Sequence, residues 1–277
     1  MENTGQRVEK FKKLNLYREK NELWENSGFQ VIMCAHNMEF LIGPTLATVA
    51  RSMKGLKWGF IFGDDGSEDG TLSRVQNLTD DLGADFVELR SFPKMANVSM
   101  VKNSLAEISK EYSDDYPGIL FCDADDFIKK DKVTGLFSKA KETNANITIG
   151  DWIYSNDKLK KFELKTAGES LEKMSFGPWN TLIHSSLIPE DGKFWNESLM
   201  AHADLLAWWE LRAAGVEFEM ADVVTTEYNA HFGSISKSRQ VNLKQLYWTS
   251  FLNEKNKIID YAGLEDVEGA HSLMEKV

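Results

Sequence analysis

The chain has 277 residues, 42% of them hydrophobic, enough to bury a sizeable core in one large domain or two small ones. Lys and Arg total 32 against 43 Asp and Glu, a formal net charge of −11 that argues against nucleic-acid binding by bulk electrostatics. The two cysteines, Cys34 and Cys122, exclude a disulfide framework or a cysteine-rich zinc site, and their apolar settings read as buried free thiols in a reducing compartment.

Residues 1–27 are polar and helix-favouring, with Val8, Phe11, Leu14, Leu16 and Leu23 loosely spaced along one apolar face, so an N-terminal helix packed on the outside is expected. Met1 to Lys20 lack the uninterrupted apolar stretch of a signal peptide, and no window reaches the roughly 20 apolar residues of a membrane span. The expectation is a soluble cytoplasmic protein, compatible with peripheral membrane association. Phe29 to Ala35 is a nearly continuous apolar run, the mark of a strand buried on both faces in a parallel sheet.

Leu41 to Met53 carries helical spacing with Pro44 in a first turn, and Trp58 to Phe62 reads as a second buried strand. A polar turn at Asp64 to Ser67 leads to a helix over Thr71 to Leu82, a third strand over Ala84 to Leu89 and a helix over Met95 to Tyr112. Gly118 to Cys122 is a fourth buried strand. Such alternation implies an α/β fold whose mostly parallel central sheet is flanked by helices, with ligands beyond the carboxyl ends of the strands. Past Asp151 the strands shorten, a Trp-rich segment runs from Trp179 to Trp209, and a helical region begins near Gln240. The organisation expected is an N-terminal helical extension (1–27), one domain (28–239, in halves 28–130 and 131–239) and a C-terminal helical segment (240–277).

The chemistry-bearing clusters follow the strands. Asp123-Ala124-Asp125-Asp126 places three carboxylates within four residues directly after a buried strand, and a hard divalent cation, Mg²⁺ or Mn²⁺, would offset their repulsion. A solvated acidic turn or helix cap explains that cluster equally well when it is taken alone. A second acidic turn, Gly63-Asp64-Asp65-Gly66-Ser67-Glu68-Asp69-Gly70-Thr71, ends another strand of the same inferred sheet, where carboxylates accept hydrogen bonds from a ligand and Gly66 and Gly70 allow close approach.

Taken in order, Val31 to Asn37, Gly63 to Thr71, Val101-Lys102-Asn103 and Leu120 to Asp126 resemble family 2 glycosyltransferases of the GT-A fold. Gly177-Pro178-Trp179-Asn180, Phe194 to Leu199 and Ala203-Asp204-Leu205 are similar to that family's acceptor-side half, so the resemblance covers roughly residues 29–240. It implies an inverting, metal-dependent transfer of sugar from a nucleotide sugar, with UDP the expected nucleotide. It assigns Ala35, His36 and Asn37 to the base, and Asp64 or, preferentially, Asp65 to the uracil or ribose. Lys102 would lie near the donor phosphates in place of the family's Arg, losing the bidentate fork. Asp123 and Ala124 belong to the donor site, and Asp125, with Asp123, to Mn²⁺ or Mg²⁺.

Asp204 matches the family's general base, although Ala203 replaces the usual preceding Glu, and His202 would tune or share the role. His231 resembles a late metal or diphosphate contact, with Ser234, Ser236, Lys237 and Arg239 as phosphate partners. Of the tryptophans, Trp179 is expected to line the acceptor cleft. The acceptor, whether saccharide, lipid-linked or protein, and the oligomeric state are not specified. Two rivals are a haloacid-dehalogenase-type phosphohydrolase, which also places Asp-x-Asp after a strand but wants Thr or Val where Phe127 stands, and a non-catalytic binding relative. A nucleotidyltransferase would need a Gly-rich basic loop where Ala35 to Glu39 stand.

Overall fold

The computed structural model describes residues 2–16, 22–156, 161–229 and 241–264. A single sheet with strand order β3-β2-β1-β4-β8-β6-β9-β5, and β7 beside β6, organises them. The first four strands in that order are β3 (Phe86–Phe92), β2 (Lys57–Asp65), β1 (Gly28–Ala35) and β4 (Gly118–Asp123), all mutually parallel. Every residue of β1 is buried, as the unbroken apolar run requires.

Alternate residues feed two cores. Ile32, Cys34, Ile61, Ile119 and Phe121 face one side; Val31, Met33, Phe60, Phe62, Leu120 and Cys122 face the other. The first side is covered by α4 (Val98–Ser109) and α7 (Ala203–Ala213), the second by α2 (Glu39–Met53), α3 (Thr71–Leu78) and α5 (Lys132–Thr143).

Parallel pairing is less general than the sequence reading expects. It recurs between β6 (Ile147–Asn156) and β9 (Phe218–Asn229), but β8 (Thr181–His184) runs antiparallel to both β4 and β6. The two-residue β5 (Phe127–Ile128) is antiparallel to β9, and β7 (Lys161–Lys165) to β6. For β6 and β7 the physical reason is connection length: they are joined too tightly for the crossover of a dozen or more residues that parallel neighbours need. The helices expected over Thr71 to Leu82 and Met95 to Tyr112 both finish in 3-10 turns, and the latter starts at Val98, where the Asn97 side chain accepts from the Met100 amide at 3.1 Å.

The N-terminal helix α1 (Thr4–Asn15) is more deeply set than an outer extension. Val8 and Phe11 have no exposure and share the core of Trp208 and Leu211. Arg7, 4% exposed, forks onto Glu210 of α7, 1% exposed, with Nε and Nη2 donating to its two oxygens at 2.7 and 2.9 Å. Nη2 also donates to the Phe194 carbonyl at 2.8 Å. Leu16 is 47% exposed, and Leu23 lies off the helix in the opposite core.

His184, at the end of β8, pins the turn around Leu23. Its Nε2 lies 2.8 Å from the Leu23 carbonyl, to which it must donate, and its Nδ1 lies 2.9 Å from Ser186 Oγ. Burial pushes its pKa down to about 4. The unfolded chain, with a histidine near ~6.5, therefore binds more protons than the native one between these values. Stability carried by neutral His184 is fully present above about pH 6.5 and is lost as pH falls towards 4, by about 3 kcal/mol in total. Urea titrations at pH 7 and pH 4.5 should show this loss in the wild type and a smaller one in His184→Gln.

Candidate active site

The strand order reverses between β1 and β4, since β1 leads outward to β2 and β3 on one side and the chain returns to β4 on the other. In open α/β sheets the crevice beyond the carboxyl ends at such a switch point is where ligands bind. The register sets two acidic positions along that edge: Ala35 pairs with Asp64, and Cys34 pairs with both Gly63 and Asp123.

The loop after β1 and the turn after β2 are zipped together. Asn37, held at φ +54°, donates its amide to Ser67 Oγ at 2.9 Å and accepts from the Glu68 amide through Oδ1 at 2.8 Å. The Met38 amide donates to Thr71 Oγ1 at 2.7 Å, and Glu39 Oε2 accepts from the Gly70 amide at 3.2 Å. His36 Nδ1 lies 2.9 Å from the Asp65 carbonyl, so that nitrogen carries the proton and Nε2 accepts from Asn37 Nδ2 at 3.3 Å. Gly66 has φ +65°, and a Cβ there would come within 2.6 Å of the Lys94 amide nitrogen, so this turn requires glycine.

Asp64 and Asp65 differ sharply. Both oxygens of Asp65 are engaged, Oδ1 by the Met95 amide at 2.7 Å and Oδ2 by Lys94 Nζ at 2.5 Å. Asp64 accepts from the Ser67 amide through Oδ2, and its Oδ1 is buried with no hydrogen-bond partner among the described residues. The Lys94 clamp on Asp65 was not legible in sequence, because residues 90–94 read there only as a connection to the next helix.

Across the switch point, Asp123 and Asp125 are partly exposed, while Ala124 is packed into the core beneath them. Lys102 Nζ donates to Asp123 Oδ1 at 2.9 Å. Burial disfavours the ammonium form of Lys102, but the charges of Asp123 and Asp204 and the Asp123 hydrogen bond outweigh it and hold its pKa above the ordinary lysine value. The third acid of the cluster has another task. Asp126 has no exposure, its Oδ1 accepts from the Asn229 amide at 2.9 Å, and burial first, then the neighbouring Asp123 and Asp125, push its pKa well up. It ties the acidic turn to the end of β9.

Asp204 stands in the first turn of α7, partly exposed. Burial raises its pKa, opposed by the charges of His202 and Lys102. Ala203 beside it is 8% exposed and belongs to the core, so a longer side chain there would start from a packed position. Asn103 fixes the approach of this half: its Nδ2 donates to the Trp195 carbonyl and to Glu197 Oε1, each at 2.9 Å, and its Oδ1 accepts from the Trp195 amide at 2.8 Å.

Trp179 is 7% exposed, stacked on Tyr228 at 5.3 Å and edge-on to Trp152 at 4.7 Å. Its carbonyl accepts from the fully buried Lys132 Nζ and from Thr226 Oγ1, both at 2.6 Å. Trp195, Trp208 and Trp209 are core. Both thiols are inert: burial pushes Cys34 up to about 12 and raises Cys122 as well. His231, Ser234, Ser236, Lys237 and Arg239 lie outside the described residues.

A divalent cation fits the donor set at this edge in kind. No group of three or more His, Cys, Asp and Glu able to hold a metal occurs among the described residues. Mg²⁺ and Mn²⁺ bound with a nucleotide need fewer, because one or two carboxylates suffice when water and phosphate oxygens fill the other positions. Asp123 and Asp125 offer such a pair, both partly exposed at the carboxyl end of β4.

Switch-point topology, acidic strand ends and a carboxylate on a covering helix make this edge the candidate site of an α/β fold of the GT-A type. Residues 30–189, more than half of the chain, match the model of glycosyl transferase family 2, and the chain belongs to that family. No curated protein matches it. Among solved structures it is similar to S. aureus TarS 1–349 in complex with UDP-GlcNAc, with TM-score 0.65 and 16% identity over 88% of this chain and 69% of that one. The same TarS fragment in complex with UDP gives TM-score 0.63 and 15% identity over 86% and 67%. Against S. aureus TarS as a longer chain the TM-score is 0.57 at 16% identity, covering 84% of this chain and 42% of TarS. These likenesses establish the GT-A fold. Among the described residues no helix is long and apolar enough to cross a membrane.

Proposed function

We propose that this protein transfers a sugar from a UDP-sugar to an acceptor hydroxyl with inversion at the anomeric carbon. The observation that carries the reading is Lys102, which bonds Asp123 at the end of β4 and also feels the charge of Asp204 at the start of α7. A cation thus stands between a donor-side acid and an acceptor-side acid. The TarS complexes hold UDP and UDP-GlcNAc in a fold of the same type, which supports uracil as the base.

The zipped loops 36–39 and 64–71 form the seat for the nucleoside. Asp64 keeps a free buried acceptor oxygen there, whereas Asp65 is committed to holding Lys94 and the Met95 amide, so the contact with uracil or ribose falls to Asp64. Asp125, with Asp123, would hold Mg²⁺ or Mn²⁺; when bound, the cation neutralises charge on the diphosphate. Lys102 adds a fixed positive charge beside that group, a point charge rather than a fork. Asp204 removes the proton of the acceptor hydroxyl as its oxygen attacks the anomeric carbon from the face opposite the departing diphosphate. Burial holds Asp204 above the ordinary carboxylate range, which makes it a better proton acceptor once ionised. Trp179 and His202 flank the acceptor side.

Family membership sets the phosphohydrolase alternative aside. Proton NMR of the sugar released to water from UDP-GlcNAc, whose donor linkage is α, tests the stereochemistry. The β anomer should appear first and mutarotate later; initial release of the α anomer would contradict inversion.

A further inference from the structure

Trp195 departs from its buried counterparts in one respect. Trp24 Nε1 donates to the Ala145 carbonyl and Trp208 Nε1 to the Phe176 carbonyl, whereas Trp195 Nε1 is buried with no hydrogen-bond partner among the described residues. A buried donor left unpaired lowers stability, and phenylalanine would fill much of the same space without that cost. The indole must therefore be kept for its ring.

That ring packs against the three elements that bear Asp123, Asp204 and Lys102. It meets Phe121 edge-on at 5.0 Å and Trp208 edge-on at 5.7 Å. Phe121 lies two residues before Asp123 on β4, hence on the same face of the sheet, and Trp208 lies four residues after Asp204 on α7, hence on the same side of that helix. Lys102 Nζ stands over the indole, 6.0 Å from its centroid. Asn103, the next residue of α4, clamps the Trp195 main chain, its Oδ1 accepting from the Trp195 amide at 2.8 Å and its Nδ2 donating to the Trp195 carbonyl at 2.9 Å. One residue of α4 thus fixes the backbone whose ring lies under its neighbour.

We propose that Trp195 is a positioning residue for Lys102, its indole face holding the ammonium at the donor edge where it meets the diphosphate. This rests on the reading of Lys102 as a diphosphate contact. Lys102 has two supports, Asp123 Oδ1 at 2.9 Å and the indole. Asp123 is one of the two carboxylates offered to a divalent cation, so its hold on Lys102 is shared once the metal binds, while the ring's hold is not. The Lys102 side chain is 14% exposed and Trp195 2%, so water screens the contact little, and indole attracts a cation more strongly than a phenyl ring does. A lysine, lacking the planar fork of the family's arginine, gains from a second surface that fixes its ammonium.

The test compares UDP with uridine, which lacks the diphosphate, by NMR titration of the full chain at one fixed Mg²⁺ concentration. The ratio of the two dissociation constants reports what the diphosphate contributes, and a variant that merely loosens the fold weakens both ligands alike. Trp195→Leu should lower the preference for UDP by about 5–30-fold, the worth of a largely desolvated cation–π contact, and leave uridine binding unchanged. Trp195→Phe, which keeps a weaker aromatic face, should give an intermediate loss, and it decides the matter alone if the leucine variant does not fold. In a Lys102→Met background, where the cation is already gone, Trp195→Leu or Trp195→Phe should change the preference no further. An unchanged UDP preference in Trp195→Phe, equal weakening of both ligands, or a further loss in the Lys102→Met background overturns the proposal. If Lys102→Met alone leaves the preference at its wild-type value, the reading of Lys102 as a diphosphate contact fails instead.

Discussion

Asp204→Asn should lower turnover by about 10²–10⁴-fold, the usual worth of a general base, while leaving UDP binding intact. The split follows from placement. Asp204 projects from the first turn of α7, whereas the proposed nucleoside seat is built by loops after β1 and β2. Asparagine preserves size and one acceptor oxygen, so the packing around His202 and Lys102 is kept while the proton acceptor and its negative charge are lost. Asp125→Ala should behave differently and lose both turnover and the metal-dependent part of UDP binding. Calorimetry with UDP, with and without Mn²⁺, separates the two; equal loss of nucleotide binding in both variants would contradict these roles.

The second large effect is on stability. Arg7→Ala should destabilise the protein by about 3–5 kcal/mol, because Glu210 would be left as an uncompensated buried charge. A typical domain has only about 5–15 kcal/mol to lose, so the variant should unfold at markedly lower urea concentration. The double variant Arg7→Met with Glu210→Leu removes both charges and fills the space with apolar atoms. It should recover most of the loss, since two ions in an apolar setting pay a desolvation cost that their attraction only partly returns. The consequence reaches the site: α7 carries Asp204, so α1 secures the helix from which the base projects.

Much of this arrangement was legible in the chain itself. Buried runs such as Phe29 to Ala35 and Gly118 to Cys122 can be satisfied only by strands covered on both faces, and acidic turns at their ends fix the functional edge. What periodicity could not supply was pairing between distant polar residues. Nothing near Arg7 announces Glu210, more than 200 positions away, and nothing near Asp65 announces Lys94. The antiparallel turn of the sheet after β4 was hidden for a related reason, because short strands such as Thr181–His184 carry too few residues to declare a direction. Trp248 lay in a segment read only as a terminal helix, and its stacking on His202 depends on where the helix Val241–Ala262 docks rather than on its own neighbours.

The central claim is that the crevice at the carboxyl ends of β1, β2 and β4 binds a nucleoside diphosphate together with a divalent cation. Thermal unfolding with UDP, GDP, dTDP and CMP and their sugars, each with and without Mn²⁺, tests it most directly, because a ligand selective for the folded state raises the melting temperature by mass action. The account predicts a rise with UDP and its sugars that grows when Mn²⁺ is present, the Mn²⁺-dependent part of the rise disappearing in Asp125→Ala. No rise with any nucleotide, with or without the metal, would contradict it.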